Sequence, residues 1–200
     1  MIIKQFLKKL RALRFKKVHC DQQVTIISNN CLAGLMYHDV HSRFYSPTIN
    51  LFIGSEDFVY FCENLKYFIK NGHLENKPSK VSYHVATLVA KDLKPITIHF
   101  MHYSSFEEAK NKWDSRCKRF TNKRVIILFQ KNRRDSDEIV KRIKNLQFDT
   151  FVLSGENSAD VSYIKYLKKH DCDLSKFVSI LGKRKYDAFN FKKEIFGIGE

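Results

Sequence analysis

The chain predicts an α/β fold: a largely parallel sheet flanked by helices. Three features carry that expectation. Short β-branched and apolar runs alternate with segments of helical periodicity along most of the 200 residues. Polar loops separate them, several ending on helix-capping residues. Apolar residues make up 44% of the chain and aromatics 14%, ample for a core, while no apolar run is long enough to cross a bilayer.

Taken in order, the first 17 residues, "MIIKQFLKKLRALRFKK", hold seven Lys/Arg and no acid. Ile3, Phe6, Leu7, Leu10 and Leu13 recur at helical spacing, with Lys4, Lys8, Arg11 and Lys16 on other sides. This predicts a basic amphipathic helix over 1–17, ahead of a single α/β domain over 18–200. Such a helix either lies in the headgroup region of an anionic membrane or packs its apolar stripe on the domain. It lacks the apolar h-region and cleavage site of a signal peptide. A cytoplasmic protein is expected, peripheral on the inner membrane face if the helix binds lipid.

Strands are predicted over 24–28, 48–53, 83–90, 96–102, 124–129, 148–153 and 177–180. Helices are predicted over 32–40, 57–70, 106–119, 137–146 and 161–170. Ser104 with Glu107 reads as a capping box for the third helix, and Ser136 and Ser158 as caps for the last two. Residues 76–82, with Pro78, read as a surface loop.

Five widely spaced cysteines without a CxxC argue against a disulfide framework or structural zinc and for reduced thiols. The net charge of +15 points to a polyanionic partner: nucleic acid, an anionic membrane or a phosphate-bearing substrate. No helix-turn-helix, zinc-finger or RNP-type motif is present, so nucleic acid is not the expected partner. There is no Walker A, GxGxxG or G-x-S-x-G motif, and His99 with His102, on opposite faces of a strand, makes a poor metal pair. No metal is expected.

The stretch with the most chemistry is "TIISNNCLAG", residues 25–34, where a strand hands over to a helix. A cysteine in the first helical turn sits at the positive end of the dipole, which favours its thiolate. Cys31 is therefore a candidate nucleophile, with Asn29 and Asn30 as oxyanion donors. The alternative is a small buried Cys31 beside an Asn30 cap. His38, His99 and His102 are candidate bases, His102 foremost because it ends its strand. In a parallel sheet, the loops at 28–31, 54–56, 102–105, 130–136 and 154–158 would share one rim. A second pattern, Lys112, Arg116, Arg119 and Lys123, would form a basic stripe on one helix, either solvated or phosphate-binding. Arg133 and Arg134 would add to it. Trp113 is expected in the core.

Three blocks, "TIISNNCLAGLMYH", "YSPTINLFIGSEDFVYFCENLKYF" and "ITIHFMHYSSFEEAKNKWDSRCKRF", resemble the bacterial family called domain of unknown function 1919. The likeness covers about residues 18–155. Leu32 and Ala33 stand where members often carry Trp or Gly. Such proteins are similar to those encoded with capsule, exopolysaccharide or lipopolysaccharide genes, and some carry an acetyltransferase label. The resemblance thus implies surface-polysaccharide biosynthesis, with acyl transfer to a sugar favoured. A glycosyltransferase of the same pathway, using Asp57 or Glu108, or a non-enzymatic adaptor at the membrane surface, are the alternatives. Within the shared blocks we expect Cys31, His102, Asn30 and Asn29 in catalysis. Tyr37, Ser46, Thr48, Tyr103, Glu108, Lys112 and Arg116 are expected to contact substrate. No tightly bound cofactor is expected, only an acyl-CoA or nucleotide-sugar donor as co-substrate. The expected partners are a sugar or lipid-linked saccharide and other polysaccharide-assembly enzymes.

Overall fold

The computed structural model describes residues 2–154, 164–166, 174–177, 179 and 181–198. Its elements are, in order, α1 (Ile2–Phe15), β1 (Thr25–Ser28), α2 (Leu32–Asp39), β2 (Phe52–Ile53), α3 (Ser55–Glu63), α4 (Leu65–Asn71), β3 (His73–Lys77) and β4 (His84–Val89). There follow β5 (Ile96–Phe100), α5 (Phe106–Cys117), β6 (Val125–Gln130), α6 (Asp137–Lys144), β7 (Asp149–Ser154), β8 (Ile164–Tyr166), a 3-10 turn (Lys185–Ala188) and α7 (Phe191–Phe196).

The fold is mixed α/β. Strands β1, β6, β7 and β8 form a parallel sheet in that order. Central β6, "VIILFQ", is buried at every position, as a strand covered on both faces must be. Its odd-numbered residues Ile127 and Phe129, with Ile27 of β1, share a core with Phe58 and Phe61 of α3 and with Ile139 and Ile143 of α6. The even-numbered Ile126 and Leu128, with Ile26, meet Met36 and Tyr37 of α2 and Phe191 and Phe196 of α7. Alternation along the strands thus separates two cores on opposite sides of one sheet.

The remaining strands form a separate antiparallel sheet, ordered β2-β5-β4-β3. Here the structure goes beyond the sequence reading, which did not separate these strands from the parallel set. β3, with its charged outer face, occupies part of the expected loop at 76–82. The helix expected over 57–70 is two helices, broken at Asn64. Residues 164–166, expected in a helix, are β8, and the rest of that helix, with Ser158, lies outside the described residues. Of the strand expected at 177–180, Phe177 makes an isolated bridge to Arg184, and 178 and 180 are not described. Ser136 caps α6 as expected, whereas α5 is capped one residue later than expected, by Ser105.

α1 is held to the body by Phe15, packed in the second core against Phe191, and by the polar network of Arg11. Arg11 is 3% exposed. Its Nε donates to Asp39 at 2.9 Å, its Nη1 to Asp187 at 2.7 Å and to the Gly182 carbonyl at 3.1 Å, and its Nη2 to Tyr186 Oη at 3.0 Å. Tyr186 in turn donates to Asp39 at 2.6 Å. Gly182 is needed there: its φ is +70°, and an added Cβ would lie 2.8 Å from the Leu7 carbonyl. Burial works against the guanidinium charge, but Asp187 and Asp39 outweigh it and raise its pKa. Removing Arg11 would leave the buried Asp39 carboxylate without its counter-ion and Asp187 with Arg14 alone. Arg11→Met is therefore expected to lower unfolding free energy by about 3–5 kcal/mol in urea denaturation; a change within about 0.5 kcal/mol, the size of an ordinary surface substitution, would mean that the network carries no net stability.

Candidate functional site

β1 ends at Ser28, and Asn29 continues its pairing by side chain. Asn29 Nδ2 donates to the Gln130 carbonyl at 3.1 Å, and the Gln130 N–H donates to Asn29 Oδ1 at 3.0 Å. This adds one rung to the parallel ladder while freeing the Asn29 carbonyl to accept from the N–H of Ile53 at 3.0 Å. The two sheets are joined at that point. Asn30 then turns the chain: its Oδ1 accepts from the Leu32 N–H at 3.0 Å, and its Nδ2 donates to Gln130 Oε1 at 2.6 Å. Cys31 is the N-cap residue of α2, half-buried, with its thiol 3.7 Å from the Leu51 carbonyl.

These residues line a cleft of about 410 Å³ with Leu32, Leu51, Phe52, Met101, His102, Gln130, Asn132 and Ser175. The volume falls in the range of small-molecule sites. One part of the lining is amide-rich and the other apolar. Cys31, Asn30 and His102 therefore share one opening, at the carboxyl ends of β1, β6 and β5. No hydrogen bond joins Cys31 to His102 among the described residues. Among the expected rim loops, 54–56 does not contribute to this lining: Glu56 pairs with Arg142 at 3.1 Å. Residues 155–158 lie outside the described residues. Gln130 and Asn132 were not singled out, although an amide ending the apolar run "VIILF" was the available signal.

Four of the residues expected to touch substrate, Ser46, Thr48, Tyr103 and Arg116, fasten the cleft wall. That wall is the segment 44–51, which has no regular structure. Ser28 N–H donates to Thr48 Oγ1 at 2.9 Å, and Thr48 and Ser46 hydroxyls bond each other at 2.9 Å, all fully buried. Tyr103 Oη donates to the Ile49 carbonyl at 2.6 Å and accepts from Arg116. Arg119 donates to the Phe44 carbonyl at 3.0 Å. Tyr37 is wholly buried behind β1, accepting from Ile26 N–H and donating to the Val24 carbonyl; burial pushes its phenol well up. The polar atoms of each of these residues are engaged by backbone groups or neighbouring side chains.

The basic stripe is dissolved likewise. Arg116 is buried over the Phe44 and Tyr103 rings, α5 stops at Cys117 ahead of Arg119 and Lys123, and the exposed members Lys112 and Lys123 are not in the cleft lining. Glu108 holds the start of α5, its Oε2 accepting from Ser104 Oγ and N–H, and these bonds lower its pKa. Asp57 accepts from Thr97 N–H at 2.9 Å. His38 lies at the far end of α2, lining a hollow beside α1. His99 packs against Phe52 and Tyr83, where burial lowers its pKa. Trp113 is in the core as expected.

A family described as "Domain of unknown function (DUF1919)" matches residues 2–193. A protein of Haemophilus influenzae (strain ATCC 51907 / DSM 11121 / KW20 / Rd), described as an uncharacterized protein, is 30% identical over 179 residues, covering 86% of this chain and 84% of that protein.

The described cysteines differ sharply in environment. Burial pushes the Cys62 thiol up, that of Cys117 to about 12 and that of Cys20 above the ordinary range. A raised pKa leaves less thiolate at neutral pH, and thiolate is the reactive form. With iodoacetamide at pH 7, Cys31 is expected to be alkylated first of these four, with Cys62 and Cys117 protected until denaturant is added. Peptide mass mapping checks this; modification of Cys62 before Cys31 would place the thiol of residue 31 out of reach.

Proposed function

Starting from the fact that the chain belongs to the domain of unknown function 1919 family, we propose that it is a transferase of surface-polysaccharide assembly that moves an acyl group onto a sugar hydroxyl. The observation that carries this reading is the shared cleft of Cys31, Asn30 and His102 at the carboxyl edge of the sheet. The likeness to proteins encoded beside capsule and exopolysaccharide genes supplies the pathway.

In this reading the Cys31 thiolate attacks the carbonyl of an acyl thioester, and the donor leaves as its thiol after taking up a proton. The oxyanion receives the second hydrogen of Asn30 Nδ2, the first being given to Gln130. A sugar hydroxyl then attacks the Cys31 thioester, its proton passing to His102, and the Cys31 thiolate is restored as the leaving group. The amides of Gln130 and Asn132 suit sugar hydroxyls, and Phe52, Leu51 and Met101 suit an acyl chain. Asn29 positions the turn, since its amide is bonded to Gln130. Glycosyl transfer is less well supported, because Asp57 and Glu108 hold backbone N–H groups and the described lining has no carboxylate.

The test is the acetyl content of the surface polysaccharide, read by proton NMR. Cells lacking the protein, and cells carrying Cys31→Ser in its place, are expected to lose acetyl signals that the wild-type chain restores. His102→Ala is expected to restore them only partly, since one general base contributes roughly 10²–10⁴-fold in rate. Full restoration by both variants would make the mechanism wrong.

A further inference from the structure

We propose that α1 is the membrane-docking face of this protein, bound to anionic lipid. The inference is independent of the cleft chemistry. Its starting point is the direction in which the helix is turned. An amphipathic helix on a globular domain ordinarily presents its apolar stripe to the core. α1 does the reverse for much of that stripe. Its inward side carries Arg11, saturated by Asp39, Asp187 and Tyr186, with Phe15 beside it. Its outward side carries Ile3, Phe6 and Leu13, which are 75%, 56% and 66% exposed.

The spacing makes these one surface. Phe6 and Leu13 lie seven residues apart, two helical turns, and Ile3 sits one turn before Phe6. Exposed Lys9 and Lys16, also two turns apart, run along one side, with Lys17 near the C-terminal end. No acid lies in the first 17 residues to offset them. An apolar ridge edged by lysines matches the boundary between acyl chains and negatively charged headgroups. A partner protein could also offer an apolar groove, but the uniform positive border favours a surface of repeated anions. No helix among the described residues is long and apolar enough to cross a membrane, so attachment through α1 would be peripheral. The Arg11 anchor fits this role, holding the helix on the body without using the outward face.

The experiment is flotation of the purified full chain with phosphatidylcholine vesicles, with and without phosphatidylglycerol. The chain is expected to float with the anionic vesicles alone and to be released by high salt. Phe6→Ser with Leu13→Ser, both on exposed positions, is expected to abolish binding. Lys9→Glu with Lys16→Glu is expected to weaken it roughly tenfold or more. Circular dichroism of each variant distinguishes loss of the surface from loss of the fold. The proposal is overturned if anionic vesicles do not bind the chain, or if folded Phe6→Ser/Leu13→Ser floats as the wild type does. It is equally overturned if those substitutions instead dissolve a dimer seen by sedimentation, which would make this face a contact between copies.

Discussion

A primary amide carries the same donor and acceptor as a peptide bond, and Asn29 uses its side chain as one. By pairing with both backbone groups of Gln130 it prolongs the β1–β6 ladder after the main chain has begun to leave it. The Asn29 carbonyl is then free to bind Ile53 and join the second sheet. Three strands are fixed at one point, and the direction of the chain after Asn29 is fixed with them. An aspartate could accept from Gln130 N–H but could not donate to its carbonyl, so the amide is specific to the task. Asn30 repeats the economy, capping Leu32 with its oxygen and holding Gln130 Oε1 with its nitrogen. Cys31 reaches the lip because its two neighbours leave it nowhere else to go.

The opposite wall shows the same logic on a larger scale. Residues 44–51 cross from α2 to β2 without a ladder of their own, so their polar groups need outside partners. Ser28, Tyr103, Arg116 and Arg119 supply them. Buried arginine works well in this place: a planar guanidinium can bond a carbonyl while lying over aromatic rings, as Arg116 does over Phe44 and Tyr103. The site is thus rigid on two sides by construction, with His102 and Met101 forming its more exposed edge.

What could be read from the sequence was local. The switch from strand to helical periodicity at 28–32 marked the Cys31 turn, because amide residues at such a switch have few other uses. What could not be read was set by residues far apart. Lys112, Arg116 and Arg119 have the spacing of one stripe, yet Phe44, Tyr103 and Ile49 decide that Arg116 is inside. The amphipathicity of α1 was plain, but which face docks depends on Asp39 and Asp187, 28 and 176 residues from Arg11. β3 was hidden because "HLENK", on the edge of its sheet, exposes four of its five side chains. The antiparallel pairing of β2 to β5 was beyond reach, since alternation of strands and helices does not fix strand direction once a hairpin intervenes.

The central claim is that Cys31 accepts an acyl group, and the most direct measurement is the mass of the protein after brief exposure to acetyl-CoA and an acid quench. The account predicts one acetyl group per chain, mapping to the peptide that contains Cys31, labile to hydroxylamine and missing in Cys31→Ser. An unmodified chain, or acetyl carried on another residue with Cys31 left untouched, would contradict it.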